Sequence, residues 1–113
     1  MRKTPVRTLL LLAAALALGG NAWAGGNAAN GKAISEKVCA ACHGVDGAKP
    51  VGPENPILAG QYGDYIVKAL RDYKSGKRAN PVMKAMADPL SRKDIDDLAA
   101  WFSSQHSTLH FQR

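Results

Sequence analysis

Cysteine is scarce in this sequence: there are two, Cys39 and Cys42, standing three apart. A bridge between them would close too small a loop to constrain much of the unfolded chain, so a structural disulfide is a weak account of the pair. Sustained two-residue alternation is missing, as are β-branched runs, and the pattern therefore predicts essentially no sheet. There is no arginine-rich stripe, and the lysines are spread among acids, which argues against a nucleic-acid partner. No internal repeat and no low-complexity segment follow residue 24. Long apolar runs are absent too. The longest, Leu9 to Leu18, has ten residues, short of the ~20 that a spanning helix needs.

That short run has the form of a secretory leader. Arg2, Lys3 and Arg7 precede it, and Ala22-Trp23-Ala24 follows it as a small-residue cleavage site. Residues 1–24 are therefore expected to be a cleaved signal peptide, residues 25–113 the working domain, and the location the periplasm, without stable membrane insertion after cleavage. No cysteine near the cleavage site offers a lipid anchor. The three basic residues leave with the leader, so 12 Lys and Arg face nine Asp and Glu in the remaining 89 residues. A domain of that size buries a modest core and often needs a cross-link, metal or cofactor.

Helical periodicity is present in three places. Ala29, Ala33, Ile34, Val38 and Ala41 define a first helix over 28–41, with Asn27 or Asn30 as its cap. A second covers 64–76, with Asp64 as N-cap, Gly76 as terminator and Tyr65, Ile66, Ala69, Leu70 and Tyr73 on one face. A third covers 91–105, opened by Ser91 and Asp94 in a capping-box arrangement and striped by Ile95, Leu98, Ala99 and Phe102, with Trp101 beside them. Between them lie a glycine- and proline-rich loop over 44–63 and a second loop over 77–90. A loop of some twenty residues is uncommon in a small domain unless it serves a function, such as wrapping a cofactor. The fold class is all-α with long loops.

The stretch "VCAACHGVDG" at 38–47 holds both thiols, with His43 directly after the second. Four chemistries compete for it. Export favours a disulfide, against which the small loop counts. A thioredoxin-like redox pair expects a βαβ context, and no strand pattern is evident. Zinc could draw on His106 and His110, but 63 residues separate Cys42 from His106, against the ~12–15 of the familiar finger. Covalent haem attachment remains. Cys-x-x-Cys-His is the c-type signature: each thiol adds to one haem vinyl group, and the adjacent imidazole binds iron. Export, helical pattern and the lack of other cysteines all favour this fourth reading.

The sixth iron ligand separates an electron carrier from a reactive haem, because methionine opposite histidine fills the coordination sphere and raises the potential. After the leader, Met83 and Met86 are the candidates. Both also suit core packing. Pro81 keeps Asn80 extended and presents Met83 first to the far face of a ring, leaving Met86 as the runner-up and the expected packing residue.

The blocks "VCAACHGVDG", "PILAGQYGDYIVKALRDYKSGKR", "NPVMKAMADPLS" and "DIDDLAAWFSSQ" resemble, in order and over nearly all of 29–105, the class I c-type cytochromes. The similarity is to the small bacterial group that includes the c-four type and the single-haem c-five-five-three type. It implies a small cytochrome c fold of three main helices and long loops around one covalently bound haem c, with a core over about 29–105 and a tail over 106–113. It implies thioethers at Cys39 and Cys42 and iron between His43 and Met83, the methionine eight residues before Ser91. It also implies a proline carbonyl accepting the imidazole N–H, best matched by Pro53 and next by Pro56, and a close crossing of first and last helices near Gly31 and Trp101. The tail "HSTLHFQR" has no counterpart in the group.

The function expected on these grounds is one-electron transport without substrate chemistry, so the chain is not read as an enzyme. Its partners would be a redox donor and acceptor, such as a quinol–cytochrome c reductase, a terminal oxidase or a periplasmic reductase. The alternatives are a haem subunit of a larger periplasmic dehydrogenase or oxidase, and a gas-binding or sensing haem protein. Lys49, Lys68, Lys74, Lys77, Arg78 and Lys84 could form a docking surface, though an ordinary solvated face accounts for them equally well.

Overall fold

Among the described residues, the last helix is the one on which the other two long helices pack. The computed structural model describes residues 25–107, and every regular element among them is helical. In chain order these are α1 Ala28–Val38, α2 Ala40–His43, α3 Gly63–Ser75, α4 Pro81–Ala87 and α5 Arg92–Ser103. α1, α3 and α5 are the three main helices, and α5 packs against the other two. The predicted leader over 1–24 and His110 of the tail lie outside the described residues.

α5 starts as its sequence dictates. Ser91 Oγ accepts from Asp94 N–H at 3.0 Å, and the Asp94 carboxylate accepts from Ser91 N–H at 2.8 Å, a reciprocal capping box. Ile95, Leu98, Ala99 and Phe102 are all buried, as the stripe predicts, and join Ile66, Val67 and Leu90 in one core. Each large side chain removed from water there contributes about 1.5–3 kcal/mol.

α1 crosses α5 at very short range. An added Cβ on Gly31 would stand 2.0 Å from the Asp97 carbonyl oxygen and 2.9 Å from Trp101 Cβ. Only a glycine permits that approach. Nearby, Asn27 caps α1, its side chain accepting from Asn30 N–H at 3.1 Å. Asn30, the other predicted cap, instead donates to the Asp97 carboxylate at 2.6 Å.

Asp97 itself is a residue that its sequence context does not flag. It is 1 % exposed and accepts from Asn27 N–H at 2.7 Å, Asn30 at 2.6 Å and Lys93 at 2.5 Å. Burial alone would raise its pKa, but the hydrogen bonds from Asn27, Lys93 and Asn30, with the Lys93 charge, outweigh it and hold the carboxyl below 3.8. A depressed folded-state pKa gives stability that is present above the unfolded value and is lost as pH falls through the folded one. Asp97→Asn is therefore expected to cost about 1–3 kcal/mol at pH 7. The gap from wild type should narrow as pH falls below about 4, the ordinary aspartate range, and urea melts at neutral and acid pH check both statements.

Two expectations need correction. α3 begins at Gly63 with Tyr62 as N-cap, so Asp64 sits in the first turn and favours the helix dipole rather than capping it. Its buried face is also rotated: Ile66 and Val67 are buried, whereas Tyr65 is 48 % exposed, its hydroxyl reached by Arg78 Nη1 at 3.3 Å. A phenol that finds a charged donor at the surface need not enter the core.

The segment read as a loop over 77–90 contains α4. Asn80 is its N-cap, accepting from Met83 N–H at 3.0 Å, and Pro81 follows inside the first turn. Proline there costs nothing, because its missing N–H would have no intrahelical partner. Asn80 itself is extended, as its position before proline requires.

Candidate functional site

The cysteine motif occupies a single helical turn. Cys39 closes α1, its N–H bonded to Ser35 O at 2.9 Å, and opens α2. Cys42 and His43 both donate backbone N–H groups to Cys39 O, at 3.2 and 3.0 Å. Residues three and four apart on a helix are neighbours, so Cys39, Cys42 and His43 share one side of the turn. Gly44 then ends it at φ 83°. Neither thiol is in a disulfide. Cys42 is exposed, while burial pushes the Cys39 thiol up to about 11 despite a hydrogen bond with Ser35. Thiolate exchange chemistry at Cys39 is correspondingly disfavoured.

His43 is the buried member, 6 % exposed. Its Nδ1 lies 2.8 Å from the carbonyl oxygen of Pro56. A carbonyl can only accept, so Nδ1 carries the proton, and in the neutral ring the lone pair rests on Nε2. Among the described residues Nε2 has no hydrogen-bond partner. The proline on the imidazole is thus Pro56, not the expected Pro53. At Pro53 the chain is still turning, with Gly52 at φ 87° and Asn55 N–H bonded back to Gly52 O at 3.4 Å. It passes His43 three residues later.

The long loop is tied down along its length. Leu58 N–H donates to Gly47 O at 2.8 Å, and Gly60 N–H to Phe102 O at 2.9 Å. The Val45 carbonyl receives two side chains from different helices, Ser35 Oγ and Trp101 Nε1, each at 3.0 Å. α1 and α5 thereby jointly fix the backbone two residues beyond His43. Ser35 is fully buried, and nothing in its sequence neighbourhood marks it.

Met83 is half-buried at the third position of α4, and Met86 one turn later is 40 % exposed. Met86 is not the packing residue expected of it; the buried side chain of α4 is Ala87. Other large apolar side chains are also exposed: Val51, whose N–H donates to Cys42 O at 2.9 Å, Tyr62 and Val82, at 66, 68 and 64 %. Water-facing apolar groups of this size suit the covering of an apolar disc.

The charge cluster behaves differently from a free basic patch. Lys68 pairs with Asp72, Lys84 with Asp88 at 2.9 Å, and Lys74 donates to Leu90 O. Arg78 lies over the Tyr73 ring at 4.7 Å. Of the six cations, Lys49 and Lys77 make no side-chain hydrogen bond or ion pair among the described residues, although the Lys77 charge helps lower the pKa of Asp72. Also among the described residues, no three His, Cys, Asp or Glu side chains converge on a metal position, and no helix is long and apolar enough to cross a membrane.

The donor set fits a haem: a buried imidazole whose Nε2 has no partner among the described residues, two free thiols on the same turn, and the exposed Val51 bonded to the backbone of Cys42. A small all-helical domain with this motif belongs to the class I c-type cytochromes. The family model for cytochrome c matches residues 28–106, and the chain is a member of that family. It is 44 % identical over 99 residues to cytochrome c4 of Pseudomonas aeruginosa, covering 88 % of this chain and 48 % of that protein. A thiosulfate dehydrogenase electron acceptor of Thiomonas intermedia is 38 % identical over 99 residues, covering 88 % of this chain and 44 % of its own. Among solved structures, reduced cytochrome c4 of Pseudomonas stutzeri matches with a TM-score of 0.67 and 41 % identity, over 74 % of this chain and 48 % of that one. The chain spans about half the length of these relatives. Family membership implies covalently bound haem c.

Proposed function

We propose that this chain is a mono-haem electron carrier, exported to the periplasm by its 1–24 leader, with haem c joined to Cys39 and Cys42 and iron held between His43 and Met83. The observation that carries the reading is the buried His43, its Nδ1–H committed to Pro56 O at 2.8 Å beside two free thiols on one helical turn. That hydrogen bond fixes the ring's tautomer and orientation. Haem bound there supplies a one-electron iron couple. The protein's tasks are to hold the two ligands, exclude water and leave one edge accessible for transfer. Met83 is favoured over Met86 as the second ligand because it enters first after Pro81 and is the less exposed of the two. Donor and acceptor are redox proteins.

The thiosulfate dehydrogenase electron acceptor among the relatives favours a second reading, in which the chain serves a periplasmic dehydrogenase as its haem partner. The chemistry at iron would be the same, and stable co-purification with a catalytic subunit would distinguish it.

Optical spectra of the exported, haem-loaded protein test the main proposal. A low-spin c-type spectrum is expected, with the weak red ferric band of methionine ligation and no change when carbon monoxide is added to the reduced form. A high-spin spectrum, or rapid carbon monoxide binding, would mean an open iron and overturn the carrier reading.

A further inference from the structure

The helix that bears Met83 has little apolar packing of its own. α4 is seven residues long and its one buried side chain is Ala87. Helices this short are not stable alone, and burying one methyl group contributes only about 0.8 kcal/mol. Val82 and Met86 face water. What fastens α4 is a set of polar ties to α3. At its far end Lys84 Nζ donates to Lys74 O at 3.0 Å, and Lys74 Nζ donates to Leu90 O. At its near end the turn 76–80 is held by Arg78.

Arg78 makes three contacts with α3. Its backbone N–H donates to Asp72 O at 3.0 Å, its Nη1 donates to the Tyr65 hydroxyl at 3.3 Å, and its guanidinium lies 4.7 Å from the centroid of the Tyr73 ring. Tyr65 and Tyr73 are eight residues apart, two turns of one face, so a planar cation spanning them fixes both its height along α3 and its distance from it. Asn80 and Pro81 start α4 two residues later. The placement of Arg78 therefore determines where Met83 begins its approach.

We propose that Arg78, clamped between Tyr65 and Tyr73, is a positioning residue for Met83 that sets how firmly the methionine is held on iron. This rests on the His43/Met83 reading of the site. The weak red ferric band, the reduction potential and hydrogen exchange of the α4 amides, measured on the haem-loaded protein, test it. Arg78→Gln is expected to weaken or shift the band, lower the potential and speed α4 exchange roughly fivefold, the size of one exposed cation–π contact. Tyr73→Leu should act in the same direction. Lys32→Gln is the control, since Lys32 stands 5.8 Å from the Trp101 ring in a comparable contact remote from α4. It should lower thermal stability without moving band or potential. An unchanged band and unchanged α4 exchange in Arg78→Gln would overturn the proposal. A shifted potential with an intact band would also overturn it, because Arg78 would then act on the haem by charge alone. A wild-type protein without the methionine band would instead sink the His43/Met83 reading, so the two failures are separable.

Discussion

Replacing Met83 with alanine is expected to abolish the weak red ferric band and lower the reduction potential by on the order of 0.2 V, a fraction of the ~0.8 V over which axial ligands set haem potentials. The direction follows from the ligand chemistry: a thioether stabilises reduced iron more than water or hydroxide does, so its removal favours the oxidised state. The reduced variant should also bind carbon monoxide. Met86→Ala is the informative partner. Met86 is 40 % exposed and lies on the same short helix, so its truncation removes little packing and should leave band and potential as in wild type. Visible spectra and redox titrations of the two variants decide between the methionines. If Met86→Ala loses the band and Met83→Ala keeps it, the ligand is Met86.

The second large effect is expected at Gly31. Helix propensity alone predicts that Gly31→Ala stabilises α1 by roughly 1 kcal/mol. The tertiary structure predicts the opposite sign. The new methyl would lie 2.0 Å from the Asp97 carbonyl oxygen and 2.6 Å from its carbon. Both are backbone atoms of the central helix, which cannot rotate aside as a side chain can. Overpacking of this kind costs about 1–3 kcal/mol, sometimes more, and the upper end is expected here. For a domain this small, that lowers Tm by roughly 12–24 °C. Gly76→Ala calibrates the result. Gly76 ends α3 at φ 80° with nothing within 4 Å of an added Cβ, so the cost is conformational only, about 1–2 kcal/mol. Thermal melts should rank Gly31→Ala well below Gly76→Ala. A Gly31→Ala protein as stable as wild type would mean that α1 and α5 do not cross as closely as the structure places them.

Residues 38–43 make the chemistry legible without coordinates, because a thiol pair and an imidazole at fixed spacing on one turn depend only on local geometry. The presence of the three main helices is equally readable, although cap and buried stripe are read correctly for α5 and not for α3, where Tyr62 is the cap and Tyr65 is exposed. Ser91 and Asp94 show this for α5: the box that they form is written three residues apart. α4 is not legible in the same way, because its local signals point in two directions. Two prolines mark the segment as a loop, although an asparagine followed by proline is also how a helix begins.

What residues distant in sequence do to one another was not readable. The resemblance favours Pro53 over Pro56, and only the course of the chain after Gly52 decides that Pro56 meets His43. Asp97 looks like one of three acids on a solvated helix. It is the α1–α5 crossing, 70 residues away along the chain, that buries it and supplies Asn27 and Asn30 as donors. The joint hold of Ser35 and Trp101 on the Val45 carbonyl is likewise a meeting of three segments. Sequence determined the Cys-x-x-Cys-His motif, the presence of the three main helices and the family, because these are set by short-range spacing. Tertiary structure alone decided which proline orients the imidazole, which carboxylate is buried and which cations are already engaged, because each depends on where long loops bring their backbone.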